Sequence, residues 1–185
     1  MSNEKPPRAR DRILETAGRL FYAEGYRAVG IDRVIAEAGV AKATFYNHFP
    51  SKDDLIVAWL GRAEAGMDAI LPPEDAPRPL SDYLEAVIGL AERPACLGCT
   101  WQGTAAEFTD PAHPAHAEAV AAKRRVLETL ARRARREGLA EPEAVAERLF
   151  LLIEGIWASV RMFGAAAPLG EAREAARRLT GPRGA

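Results

Sequence analysis

The stretch from Gly25 to Lys52, GYRAVGIDRVIAEAGVAKATFYNHFPSK, leaves this chain few ways to fold. Ile31, Val34, Ile35 and Ala38 recur at i, i+3, i+4 and i+7, which lays one apolar stripe along a short helix. Gly39 follows the last apolar position, where a residue without Cβ adopts the left-handed backbone of a helix C-cap at no steric penalty. A second helix runs from about Ala41 to Phe49. At about 100° per residue, Lys42, Ala43, Tyr46 and Asn47 share one side of it, while Phe45 and His48 lie roughly opposite. Pro50 cannot continue a helix interior, and Ser51 with Asp54 has the spacing of an N-terminal cap that opens the next helix. Two short helices around a tight glycine turn describe a helix-turn-helix.

In that motif the second helix enters the major groove, while the first crosses the backbone. Lys42 has the chemistry to donate to guanine, Asn47 to pair with adenine and Ala43 to touch a thymine methyl. Thr44, Tyr46 and Lys52 would hold phosphates, which position the protein without reading sequence. Helix pairs with glycine turns also occur in helical proteins that never meet DNA, so spacing alone leaves both readings open.

The run TFYNHFPSK, preceded by IAEAGVAKA and by a helix ending in LFYAEGY, resembles the N-terminal domain of the tetracycline-repressor (TetR) family of bacterial transcription regulators, over residues 8 to 60. The resemblance implies an all-α protein. Its helix-turn-helix domain would occupy residues 1–52, with its core at 8–52, and a helical effector-binding and dimerisation domain would occupy 53–185. Lys42 and Ala43 match base-facing positions of the family; Thr44, Tyr46 and Lys52 match phosphate-gripping ones. Asn47 matches a variable groove-facing position, and His48 a frequent histidine that packs as readily as it contacts DNA. Gly30 and Ala41 depart from the pattern: they stand where many members have a hydroxyl residue that caps a helix and reaches a phosphate.

The formal net charge of −1 argues against wholesale electrostatic binding of nucleic acid. The charge is uneven, however: residues 1–52 hold nine Lys or Arg against six Asp or Glu, a balance of +3. Arg8, Arg10 and Arg12 form an N-terminal arm that either reaches phosphates or is a solvated helix start. No run of about 20 uninterrupted apolar residues suits a bilayer, and MSNEKPPRAR lacks the apolar core of a signal peptide, so a cytoplasmic protein without a membrane partner is expected. Two cysteines are too few for a disulfide scaffold.

Beyond the motif, helices are predicted at 11–24, 52–71, from Ser81 as a cap, and near 102–109, 115–137, 142–163 and 171–180, with PPEDAPRP at 72–79 as a linker. No strand pattern appears. Val145, Leu149, Leu152, Ile153, Ile156, Trp157 and Val160 form a broad stripe on the helix from Pro142, which needs a large partner surface. Either it is the centre of a monomer core or, as the family resemblance implies, Leu149, Ile153, Ile156, Trp157 and Val160 build a bundle with a second subunit. A homodimer matches the two-fold symmetry of a pseudo-palindromic operator in double-stranded DNA. Trp59, Met67, Trp101, Phe108, Trp157, Met162 and Phe163 are either core or the lining of a small-molecule effector pocket. The resulting expectation is a repressor released when an effector changes the separation of its recognition helices, the motion passing through residues 52–71.

Cys96-Leu-Gly-Cys99 has a spacing that suits zinc or a reactive dithiol, and the alternative function is a thiol-responsive regulator or a thiol oxidoreductase acting through Cys96 and Cys99. His113 and His116 are spaced too closely for a zinc finger, so no metal is expected. The run from Lys123 to Arg136 spreads around a helix and reads as a solvated face. With no G-x-G-x-x-G, Walker, H-E-x-x-H or G-x-S-x-G motif, neither an enzyme nor a cofactor is expected. A helical dimer that binds partner proteins would leave Lys42, Tyr46 and Asn47 without a task.

Overall fold

A computed structural model describes residues 8–181, all of whose regular structure is helical. The helices are α1 (Ala9–Glu24), α2 (Ile31–Ala38), α3 (Lys42–His48), α4 (Lys52–Asp68), α5 (Pro79–Ala91), α6 (Thr100–Glu107), α7 (Pro114–Arg136), α8 (Pro142–Phe163) and α9 (Leu169–Thr180), with one 3₁₀ turn at Gly164–Ala166. They form two compact units. The first holds the described residues up to Ala65 together with Thr100–Val120; the second holds Gly66–Cys99 and the chain from Ala121 onward. This is a different cut from the functional division expected at residue 52, because α6 and the start of α7 pack with the N-terminal helices.

In the first unit, Ile13, Leu14, Ala17, Leu20 and Phe21 of α1 are buried with Val34, Phe45, Phe49, Leu55, Ile56 and Leu60. Gly18 lets α4 approach: a Cβ there would lie 1.8 Å from Trp59 Nε1. Gly39 takes φ 62° and ψ 43°, the left-handed C-cap that turns the chain from α2 to α3. The cap of α4 is reciprocal, since Ser51 Oγ accepts the Asp54 N–H at 3.1 Å and Asp54 Oδ2 accepts the Ser51 N–H at 3.0 Å. Gly30 and Ala41 stand at the N-caps of α2 and α3 and supply no side-chain bond.

In the second unit, α5 buries Leu80, Tyr83, Leu84, Val87 and Ile88, and its first turn differs from expectation. Ser81 is not its cap; the helix opens two residues earlier at Pro79. The Leu80 and Ser81 N–H groups donate to Glu137 Oε1 at 2.7 and 3.3 Å, so the cap arrives from the chain just beyond α7. Arg133, 4% exposed, ties down the preceding linker by donating to the carbonyls of Pro72 and Pro79 at 2.6 and 2.7 Å, and its guanidinium lies 4.8 Å from the Tyr83 ring centroid. The basic run of α7 is therefore not wholly a solvated face. Burial raises the Tyr83 phenol to about 12.

The apolar stripe of α8 faces inward. Leu149, Ile153, Ile156, Trp157 and Val160 are all at most 8% exposed within the single chain, so they already pack in its own core. The exposed apolar groups of α8 are Leu151, Met162 and Phe163, at 69%, 68% and 58%. α8 with the following turn is long and apolar enough to cross a membrane by length and composition, but Glu147, Arg148, Glu154 and Arg161 interrupt it, so it holds no run of about 20 uninterrupted apolar residues. That composition serves two faces: the buried stripe and a second, solvent-facing apolar row.

Candidate nucleic-acid interface

α3 is held from beneath by two aromatic anchors, Phe45 and Phe49, 0% and 2% exposed, with ring centroids 6.0 Å apart. Residues one position off the anchors point outward, and Lys42, Ala43, Tyr46, Asn47 and His48 are exposed, with Thr44 half-buried beside them. Tyr46 stands edge-on against Phe45 at 5.3 Å, which fixes its ring while leaving 41% of the residue open. His48, placed opposite the groove-facing row by periodicity, is exposed and sits 6.4 Å from Phe49. Lys52 opens α4 half-buried; burial lowers its ammonium pKa from the ordinary lysine value, against the opposing pull of Glu107 and Asp53. The helix pair thus presents a mixed row of cationic, amide, phenolic and methyl groups on a rigid apolar base, the kind of surface that reads base edges and grips phosphates.

Much of the positive charge near this row is already engaged. Arg33 bonds Glu24 and Glu37, and Arg19 also bonds Glu37. Their hydrogen bonds hold the Glu24 and Glu37 carboxyls below the ordinary glutamate range and raise the Arg33 guanidinium. Arg62 pairs with Asp11 at 3.0 Å. Arg12 reaches the Gly39 carbonyl at 3.5 Å, and Arg10 lies over the Phe49 ring at 5.4 Å. Of the N-terminal arm, Arg8 and Arg10 are exposed; Lys5 and the rest of Met1–Pro7 lie outside the described residues.

The turn leading into α2 is clamped by α6, which sequence reasoning missed. Glu107 accepts the backbone N–H of Tyr26 at 3.0 Å and of Arg27 at 2.9 Å, and its own carbonyl accepts Arg27 Nε and Nη2 at 3.1 and 2.9 Å. Tyr26 and Thr104 hydroxyls share a buried bond of 2.6 Å. Gly25 makes room with φ 89°, since a Cβ there would lie 2.7 Å from Glu107 Oε1. No local spacing points to this clamp, because the two N–H groups it accepts lie 81 and 80 positions back in the chain.

The residues expected at an effector pocket divide between the units. Trp59 and Phe108 belong to the first unit's core, with Trp101 packed against it; Met67 is half-buried, Trp157 buried and Met162 68% exposed in the second unit. Trp101 Nε1 is buried without a hydrogen-bond partner. Cys96 and Cys99, half-buried and buried, are not joined in a disulfide and flank Gly98 at φ 94°. His113 stacks on Phe108 at 4.3 Å with Nε2 3.6 Å from Asp53, and His116 Nδ1 lies 2.7 Å from the Phe108 carbonyl oxygen, so both histidines have structural partners. Among the described residues no group of three or more His, Cys, Asp or Glu side chains is placed to hold a metal.

Comparison with known proteins places this geometry. Residues 13–59 match the family model described as bacterial regulatory proteins, tetR family. A TetR-family transcriptional regulator from Streptomyces coelicolor, known from its crystal structure, is 33% identical, with 93% of this chain and 94% of that one covered and a TM-score of 0.86. The chain belongs to the TetR family. A TetR-type regulator from Streptomyces avermitilis aligns at 30% identity over 92% of this chain and 98% of its own, with a TM-score of 0.75. The transcriptional repressor KstR of Mycobacterium tuberculosis is 38% identical over 69 residues, 37% of this chain and 31% of that protein. Matches to curated relatives are short: the chain spans 26% of the length of the first, a helix-turn-helix regulator of Bacillus subtilis. The TetR family model ends at Trp59, so the α6 clamp at Glu107 lies outside the part of the chain that it matches.

Proposed function

We propose that the protein is a transcriptional repressor that binds a pseudo-palindromic operator as a homodimer and leaves it when a small-molecule effector binds. The observation that carries this reading is the exposed row Lys42, Ala43, Tyr46 and Asn47 above the buried Phe45 and Phe49. Lys42, Ala43 and Asn47 would meet base edges, with Thr44, Tyr46 and Lys52 on phosphates and His48 supporting them. KstR is one of the relatives named as repressors, while another relative, FasR, is named an activator, so repression is the sign of regulation we propose.

The dimer is proposed on the outer face of α8 and α9. Leu151, Leu152, Gly155, Ile156, Ser159, Leu169 and Ala172 line an open apolar groove of about 350 Å³ there, which a helix of a second copy would fill. A two-fold protein would set two α3 helices about 34–36 Å apart, one turn of DNA. The effector is proposed to act through α6, with the unpartnered indole N–H of Trp101 as a donor to an acceptor group on the ligand. α6 carries Thr104 and Glu107, so its displacement would be felt at Tyr26 and Arg27 just before α2; α4 would provide a second route. A coupling of about 1–3 kcal/mol would change operator affinity about 5- to 150-fold.

Selection from randomised double-stranded DNA at physiological salt, with sequencing of the retained fraction, tests the reading. A two-fold symmetric site is expected; no enrichment through successive rounds would refute it.

A further inference from the structure

The recognition surface contains an acid as well as cations. Asp32, in the first turn of α2, is 85% exposed at its side chain, and its Oδ1 lies 3.3 Å from Nζ of Lys42, the first residue of α3. The neighbouring Arg33 is engaged by Glu24 and Glu37, so Lys42 is the cation that Asp32 faces. An acid in a helix's first turn also favours the helix dipole, and that role alone would need no lysine beside it. Bringing a carboxylate to DNA is unfavourable beside phosphates, but at the groove floor it has donors to accept from.

We infer that Asp32 and Lys42 act together as a specificity-determining pair that reads one G·C base pair in each half-site. The inference rests on the operator reading above. The major-groove edge of G·C offers two acceptors, guanine N7 and O6, beside one donor, the cytosine N4 amino group. A lysine ammonium and a carboxylate about one hydrogen bond apart complement that edge: Lys42 donates to guanine while Asp32 accepts from cytosine. An A·T pair places an amino group beside N7, where the ammonium would meet a donor, and a carbonyl where the carboxylate would sit. A good paired contact discriminates by about 5- to 150-fold.

The test repeats the DNA selection with wild type, Asp32→Ala and Lys42→Ala, adding non-specific binding to a scrambled duplex across a salt series. Both side chains are largely exposed, so both variants are expected to fold, which circular dichroism checks. The expected result is a symmetric wild-type site with a G·C pair at one position per half-site, whose preference collapses in both variants while the other positions persist. An unchanged site in Asp32→Ala with uniformly tighter binding to every duplex would overturn the inference and leave Asp32 a simple repeller of phosphates. A wild type that enriches no site would remove the operator reading and this inference with it.

Discussion

Replacing Glu107 with alanine tests the packing of α6 against the turn before α2, which the operator reading makes part of the DNA head. The carboxylate accepts two backbone N–H groups, at 3.0 Å from Tyr26 and 2.9 Å from Arg27. Their fates on its removal differ. Tyr26 is 3% exposed, so its N–H is stranded away from water, whereas Arg27 is exposed and recovers a water partner. A hydrogen bond to a charged group contributes about 1.5–3 kcal/mol, and an orphaned buried donor costs about 1–3 kcal/mol; for the single stranded N–H these describe the same loss. Glu107→Ala should therefore destabilise by roughly 2–3 kcal/mol, and Glu107→Gln, which keeps one acceptor oxygen, by roughly half that. For a chain of this length the alanine variant should melt about 4–12 °C lower. Thermal unfolding followed by circular dichroism reads the first effect, and titration with the selected operator reads a weakening of binding as the turn before α2 loosens. An alanine variant that melts within about 1 °C of wild type and binds the operator equally would show that the clamp holds nothing.

Gly18→Ala places a methyl 1.8 Å from Trp59 Nε1, and overpacking of that kind costs about 1–3 kcal/mol or more; a red-shifted tryptophan emission with a lowered melting point is expected, relieved in part by Trp59→Phe. Leu151→Glu combined with Met162→Lys should yield a helical monomer by analytical ultracentrifugation, since both residues are more than two-thirds exposed in the single chain; an intact dimer would move the interface elsewhere. The Arg33 network has a defined pH dependence. Glu24 and Glu37 have lowered pKa values through their arginine hydrogen bonds, so their contribution is present above the ordinary glutamate pKa of 4.5 and is lost as pH falls below it through the folded-state values. Arg33→Ala should therefore lower the melting point at pH 7, with the difference from wild type closing as the solution is acidified below about 4.5.

What was legible in the sequence was what depends on near neighbours. Gly39 at a helix end, the Ser51 and Asp54 cap, and the alternation of Phe45 with Tyr46 are all set within one or two turns, so spacing reveals them. The start of α5 was not, because its N–H groups are capped by Glu137, 57 positions away from Leu80. Glu107 was invisible for the same reason: its partner Tyr26 lies 81 positions back. Periodicity located the apolar stripe of α8 but carries no information about what covers it, and a stripe suited to a partner subunit is equally suited to the chain's own helices. The weak acid–cation pairing of Asp32 with Lys42 crosses the glycine turn, where helical periodicity says nothing about which side chains meet.

The division of the first unit into two separated stretches of chain bears on how such a protein can be re-engineered. A transplant that moves only the N-terminal helices into another regulator leaves behind Thr104, Glu107 and Phe108, and so uncovers Tyr26 and strands the turn before α2. A working chimera must carry residues 100–120 along with the head or supply an equivalent acid and hydroxyl from the host. Exchanging the exposed side chains of α3 on the existing anchors Phe45 and Phe49 disturbs neither stretch. New DNA preferences are therefore more readily written by point replacement in place than by exchange of whole modules.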